Sequence, residues 1–100
     1  MTTIGISDDW IIVKGHSGYA EFGKDIVCAA ISVLSEATYN YLVATGNKVA
    51  VLDDEDGLYV IRIDKLNESG KNILKSFKEM VDDIASQYPE NVRSVKEWKN

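Results

Sequence analysis

A long apolar run, from Ile26 to about Thr45, constrains the fold of this chain more than any other segment. Asp25 precedes the run, and an Asp side chain at this position can accept hydrogen bonds from the free N–H groups of a first helical turn. Gly46-Asn47 follows the run and is typical of a helix C-terminus. Apolar residues recur on nearly every side of the helix that these signals delimit. The run therefore predicts one buried central helix, which other elements must cover.

Two pairs of strands are predicted, one before and one after this helix. Thr2 to Ser7 and Trp10 to Val13 are β-rich runs separated by a short acidic turn, and they predict a hairpin. Residues 48–52 and 58–63 predict a second hairpin. The acidic residues 53–57 between them predict a longer, solvated turn, which is too short and irregular for an EF-hand loop.

A second helix and a last strand complete the predicted order. From Ile73 to Tyr88 apolar residues recur at helical spacing, which predicts an amphipathic helix with its apolar stripe in the core, ended by Pro89. Val92 to Trp98 predicts a final strand. The expected fold is α+β: a single small domain over residues 1–100, with a mixed or antiparallel sheet, two helices and the order ββαββαβ.

Charge and composition narrow the class of function. The 100 residues are 45% apolar and 27% charged, which suits a single core. The net charge of -5 disfavours phosphate binding, so we expect no direct nucleic-acid binding and favour a basic protein partner. The longest apolar region, Ile26 to Leu34, is shorter than the roughly 20 residues that span a bilayer. With one cysteine and no leader pattern, the sequence predicts a cytoplasmic protein without a membrane partner.

The only histidine, His16, and the only cysteine, Cys28, lie between the second strand and the central helix. Gly18 to Lys24 nearly matches a phosphate-binding loop, but the next residue is Asp25, whose carboxylate repels phosphate. Gly15 to Tyr19 departs from the hydrolase nucleophile elbow because its last position is not glycine. One Cys and one His leave a structural metal site two ligands short. We therefore expect no metal and no cofactor.

A Cys–His site remains. With Asp25 as the cap, Cys28 is the third helical residue, where free N–H groups and the helix dipole stabilise a thiolate. His16 is then able to pair with the thiolate and to protonate a leaving amine. The residues alone also fit a small buried cysteine and a structural histidine. Ser32, one turn after Cys28, either orients the site or bonds to its own helix. Asp25 is more often a cap than a base.

The run from Gly15 to Leu34 resembles the ribosomal-processing cysteine protease family, Prp. The shared features are the Gly-His-x-Gly-Tyr-Ala loop, the Asp-Ile-Val-Cys-Ala-Ala block, the histidine-to-cysteine interval and a serine four residues past the cysteine. Family members often carry alanine at Ser17 and tyrosine at Phe22. The resemblance implies an α+β homodimer in the cytoplasm. It also implies an endopeptidase that removes the N-terminal extension of large ribosomal subunit protein twenty-seven in certain bacteria.

On the family motif the nucleophile falls on Cys28 and the general base or acid on His16, with Asp25 and Ser32 in supporting positions. The rival hypotheses are a non-catalytic ribosome-associated binding protein of the same fold and a protein whose Cys28 senses redox state. Glycines are expected to let the loop before Cys28 open for an extended peptide and close over it. These glycines are Gly15, Gly18 and Gly23.

Overall fold

One five-stranded sheet carries two helices in the computed structural model, which describes residues 1–21 and 23–95. The elements are β1 (Thr2–Ile6), β2 (Trp10–Lys14), α1 (Ile26–Ala44), β3 (Lys48–Glu55), β4 (Leu58–Lys65), α2 (Glu68–Gln87) and β5 (Val92–Val95). The predicted α+β class and the order ββαββαβ are confirmed. The expected continuation of the last strand to Trp98 lies outside the described residues, as does Phe22.

The sheet is mixed and has the spatial order β3-β4-β2-β1-β5. β5 runs parallel to β1, and the other neighbouring pairs are antiparallel. β1 and β2 form the predicted hairpin, with Ile6 paired to Ile11. Because β2 is the central strand, the loop that follows Lys14 leaves from the middle of the sheet. This loop carries His16 to the start of α1.

The core lies between one face of the sheet and both helices. Alternation within the strands turns Ile4, Ile11 and Ile61 to this face, where each is fully buried. Phe77 and Val81 of α2 pack into the same cluster, so the predicted core-facing stripe of α2 is confirmed. α2 begins earlier than predicted. Its first turn is polar, so it lacks the apolar spacing from which the helix was predicted.

Only one side of α1 is buried, so the expectation of a buried central helix is wrong. The sheet and α2 cover part of the helix, and Ile26, Val33 and Tyr41 remain 58%, 67% and 63% exposed. By length and composition alone, α1 is apolar enough to cross a membrane. In the fold, however, it packs on the sheet through one face. The buried residues of that face are Val27, Ile31, Ser35, Thr38 and Leu42.

The acidic segment after residue 52 is not the solvated turn that the sequence predicted. β3 continues through it to Glu55, which pairs with Leu58, so only Asp56-Gly57 remain as the turn. Gly57 has φ +78°, a conformation that glycine adopts without a side-chain clash. A register shift between Val51 and Asp53 absorbs the extra length of the strand. Three acidic side chains therefore become part of the hairpin itself.

Candidate active site

The loop between β2 and α1 begins with a fixed turn. Gly15 has φ +94°, and its N–H donates to the Gly57 carbonyl at 2.8 Å. A Cβ at Gly15 would collide with the Met1 carbonyl oxygen, so this position accepts only glycine. Gly18 and Gly23 also have positive φ, but the space around them is open. If the loop opens, we expect the backbone to move at Gly18 and Gly23 rather than at Gly15. The flexibility of the loop stays a prediction.

Asp25 is the N-cap of α1, as predicted, and it also holds the loop. One carboxylate oxygen accepts the Cys28 N–H at 2.9 Å. The other accepts the Ser17 hydroxyl and the Tyr19 N–H, the latter at 3.2 Å. Partial burial by itself raises the pKa of Asp25, but these hydrogen bonds outweigh it and lower the pKa to about 2. Asp25 is therefore a charged anchor at neutral pH.

Cys28 is the third residue of α1 and is half-buried. Its Sγ accepts a hydrogen bond from the Ser17 N–H at 3.2 Å. Ser17 is only 2% exposed, and its carbonyl accepts a hydrogen bond from the Asn91 side-chain amide at 3.0 Å. Sequence reasoning missed both Ser17 and Asn91. Ser17 adjoins the predicted histidine, whereas nothing local to Asn91 signals a contact 74 residues away.

His16 lies at the opposite wall of the site, against the β3–β4 turn. Its side chain is 58% exposed, and Nε2 lies 3.5 Å from the Asp56 Oδ1. A Cβ on Gly57 would stand only 3.2 Å from the same nitrogen. Among the described residues, His16 and Cys28 share a groove but make no hydrogen bond to each other. Asp56 was missed because its turn meets the loop of His16 only through the pairing of β2 with β4, which no local pattern shows.

The groove that holds both side chains has a volume of about 630 Å³. Ser32 lines it, and within the described part of the chain its hydroxyl bonds neither to Cys28 nor to its own helix.

The described lining contains no Lys or Arg. Burial raises the pKa of Tyr59 to about 12, and the charges of Asp54 and Glu36 add to the effect, so this phenol stays protonated. The acidic lining residues are Glu36, Asp54, Glu55 and Asp56, besides the capping Asp25.

Across residues 1–21 and 23–95, no three His, Cys, Asp or Glu side chains are grouped so as to hold a metal ion. The site instead combines a half-buried cysteine at a helix N-terminus, a donated N–H on its sulfur and a histidine in the same groove, and these groups suit acyl transfer once the histidine comes within hydrogen-bonding reach of the sulfur.

Comparison with known proteins identifies the family. The model of the cysteine protease Prp family matches residues 6–93. This chain belongs to the Prp family. The ribosomal processing cysteine protease Prp of Staphylococcus aureus strain Mu50 is 30% identical over 86 residues, covering 83% of this chain and 81% of that protein. Prp of Mycoplasma genitalium is 59% identical over 32 residues, which cover 32% of each chain. The predicted resemblance of the Gly15–Leu34 motif to the Prp family is therefore confirmed.

Solved structures agree with this assignment. The S. aureus Prp in complex with a covalently linked product peptide superposes with a TM-score of 0.83 at 26% identity, covering 96% of this chain and 97% of that chain. A protein from Streptococcus mutans superposes with a TM-score of 0.73 at 27% identity, covering 96% and 93%. The chain therefore has the Prp fold and is a cysteine-type peptidase of this family.

Proposed function

We propose that this Prp-family chain removes the N-terminal extension of large ribosomal subunit protein twenty-seven, with Cys28 as the nucleophile and His16 as the general acid and base. One observation carries the proposal: Cys28 occupies the first turn of α1, with the Ser17 N–H on its sulfur, in a groove shared with His16. The S. aureus relative, crystallised with a substrate peptide and with a covalently linked product peptide, supports a peptide as the ligand.

The first chemical step is attack of the Cys28 thiolate on the scissile carbonyl carbon. A carbon–sulfur bond forms, and the carbonyl electron pair moves to oxygen. The N–H groups at the start of α1 that Asp25 does not already engage suit this oxyanion because they point out of the end of the helix. The carbon–nitrogen bond then breaks, and protonated His16 gives its proton to the departing amine. The products of this step are a free amine and a thioester on Cys28.

The second step is hydrolysis of that thioester. Neutral His16 takes a proton from a water molecule, and the resulting hydroxide attacks the thioester carbonyl. The carbon–sulfur bond breaks, the thiolate of Cys28 returns, and His16 is left protonated beside it. Both steps need His16 to reach across the groove. Its pairing through Nε2 with Asp56 leaves Nδ1 available for the proton transfers.

The acidic groove supports a cationic protein segment as the substrate. Carboxylates from α1 and from the β3–β4 hairpin line the cleft that holds Cys28, which favours Lys-rich or Arg-rich peptides and disfavours nucleic acid. We propose a cytoplasmic protein with no direct nucleic-acid or membrane partner. We also propose a homodimer, supported by the exposed apolar side of α1.

A cleavage assay tests the proposed function. The protein is incubated with the ribosomal protein bearing its extension, and the products are identified by mass spectrometry. We expect one cut that releases the extension. Cys28→Ala must abolish the cut, and His16→Ala must slow it by about 100-fold or more, as expected for loss of a general acid and base. Circular dichroism of each variant shows that the fold is retained.

The rival hypotheses give different results in the same assay. A non-catalytic binding protein would retain the extended substrate uncut on a pull-down, and Cys28→Ala would bind it equally well. A redox sensor would show reversible oxidation of Cys28 by mass spectrometry and no cleavage. Cleavage that persists in Cys28→Ala would overturn the assignment of the nucleophile.

A further inference from the structure

We propose that Ser17 is a positioning residue for the nucleophile, and that Asn91 anchors it from the far end of the chain. This inference rests on the proposed role of Cys28. It assigns to Ser17 the task of aiming a backbone N–H at the Cys28 sulfur, where the hydrogen bond stabilises the thiolate relative to the thiol.

All three polar groups of Ser17 are engaged. Its N–H donates to Cys28 Sγ at 3.2 Å, its hydroxyl donates to the Asp25 carboxylate, and its carbonyl accepts from the Asn91 amide at 3.0 Å. The residue is 2% exposed, so water does not replace these partners readily. The backbone on both sides of Ser17 and its side chain are thus held while its N–H meets the sulfur.

The surrounding backbone alone does not fix this geometry. Gly18 follows directly, with φ +69° and open space around it, so the chain beyond Ser17 is free to turn. The side-chain bond to Asp25 and the bond from Asn91 supply the restraint that the glycine lacks. In this chain the Ser17 hydroxyl is therefore part of the restraint on the loop, although family members often carry alanine at this position and it makes no hydrogen bond to the sulfur.

Asn91 is itself firmly held, which makes it a suitable anchor. Its N–H donates to the Tyr88 carbonyl at 2.9 Å, and its carbonyl accepts the Thr2 N–H at 2.8 Å. These bonds tie it to the end of α2 and to the start of β1. Its side-chain amide connects the sheet to the loop through the Ser17 carbonyl. Contacts from both ends of the chain therefore position Cys28.

Alkylation of Cys28 by iodoacetamide tests the inference without relying on peptidase activity. Ser17→Ala and Asn91→Ala should each react about tenfold more slowly than the wild type at pH 7, as for loss of a hydrogen bond to a charged group. At pH 10 the variants should no longer react more slowly than the wild type, because the proposed effect acts through the fraction of thiolate. In NMR spectra of the wild type, the Ser17 amide resonance should shift when Cys28 is alkylated.

Matched controls separate positioning from folding. Ser86→Ala removes a hydrogen-bonded hydroxyl on α2, and Asn72→Ala removes an exposed amide there, so neither should change alkylation. Equal rates for Ser17→Ala and wild type at pH 7, or an equal fall at pH 7 and pH 10, would overturn the proposal. If the wild type fails to cleave the ribosomal protein while these alkylation differences hold, the proposed substrate is wrong and the positioning role stands. When cleavage is present, Ser17→Ala should lower kcat with little change in KM.

Discussion

At the scale of single residues, the Asp25 carboxylate joins two tasks, since it caps α1 and holds the loop that carries Ser17 and His16. The same carboxylate spoils the phosphate-loop pattern in the sequence. Four hydrogen bonds converge on it, from one hydroxyl and three backbone N–H groups. Its charge is therefore part of the site even though the acyl-transfer steps do not use it as a base.

The lowered pKa of Asp25 predicts a defined acid sensitivity. The folded-state pKa is about 2 and the ordinary value is 3.8, so ionised Asp25 stabilises the fold fully above pH 3.8. This stabilisation is lost as the pH falls through about 2. We expect wild type to exceed Asp25→Asn in free energy of unfolding at neutral pH, and the difference to shrink only below pH 4. Urea denaturation at a series of pH values measures it. A difference that does not change down to pH 2 would contradict the assignment.

Asp56 supplies the second residue-scale prediction. It lies 3.5 Å from His16 Nε2 in an exposed position, so the pair contributes modestly to the orientation of the imidazole. Asp56→Asn should lower kcat by about 1.4- to fivefold, because exposed ion pairs are worth roughly 0.2–1 kcal/mol. Steady-state kinetics with a short neutral peptide measures it. Asp9→Asn, on the distant β1–β2 turn, is the control, and an equal loss there would show that the effect is unspecific.

Single residues of the site could be predicted only where the sequence keeps them close together. His16, Asp25 and Cys28 lie within one segment, and capping rules place Cys28 in the first helical turn. Asn91 and Asp56 reach the site through the fold, from the turn between α2 and β5 and from the β3–β4 turn. No local pattern marks contacts of this kind, because they depend on which strands become neighbours.

At the scale of elements, the periodicity of apolar residues predicted the strands and helices correctly. Their predicted bounds were wrong where an element includes polar residues that do not follow this periodicity. β3 continues through three acidic residues because one face of an edge strand can remain in water. α2 starts at Glu68 because Asn67 caps it, although its first turn lacks apolar residues. α1 was wrongly predicted to be buried on all sides, because the apolar character of a helix does not show how many elements pack against it.

The start of α2 yields a stability prediction. Gly70 is buried, and a Cβ there would collide with the Asn47 side chain, which accepts the Asn67 N–H at 2.8 Å. Alanine in a helix is normally better than glycine by about 1 kcal/mol, but overpacking costs about 1–3 kcal/mol. We expect Gly70→Ala to lower the free energy of unfolding. Urea denaturation measures it, with the exposed neighbour substitution Ser69→Ala as control. A gain in stability would show that the Asn47 side chain moves aside freely.

The β3–β4 hairpin yields an element-scale prediction about binding. It brings Asp54 and Glu55 to the groove, where their charges attract a cationic peptide. The double variant Asp54→Asn, Glu55→Gln should raise KM for a Lys-containing substrate and leave KM for a neutral analogue unchanged. Added salt should reduce the difference between the substrates in the wild type, because exposed charges are screened. Equal KM changes for both peptides would point to a loss of shape rather than of charge.

At the scale of the whole molecule, the two-layer arrangement explains which parts of the chain could be read from sequence. A sheet with both helices on one face buries one side of α1, and composition cannot reveal that the other side lacks cover. The family resemblance was visible in a single motif because that motif combines the helix cap, the cysteine and the loop. The oligomeric state depends on whether the exposed side of α1 contacts a second copy, which no local sequence pattern determines. The homodimer therefore remains a proposal.

The exposed side of α1 gives the molecular-scale prediction. Ile26, Val33 and Tyr41 recur at helical spacing and are more than half exposed, which suits an apolar interface between two copies of this chain. Val33 lies five residues after Cys28, about 140° around the helix, so the interface and the groove face different directions. Val33→Glu should convert a dimer into a monomer, because it buries an unpaired charge.

Sedimentation measurements at micromolar concentration test this prediction, with Asn72→Glu on α2 as a control of equal charge change. We expect the wild type and the control to sediment as dimers and Val33→Glu as a monomer. The alkylation rate of Cys28 should be the same in all three, because the groove is built from α1, the loop and the β3–β4 hairpin of one chain. A monomeric wild type would refute the homodimer. A dimeric Val33→Glu would move the interface to another surface, and slower alkylation in the monomer would mean that the second copy supports the site.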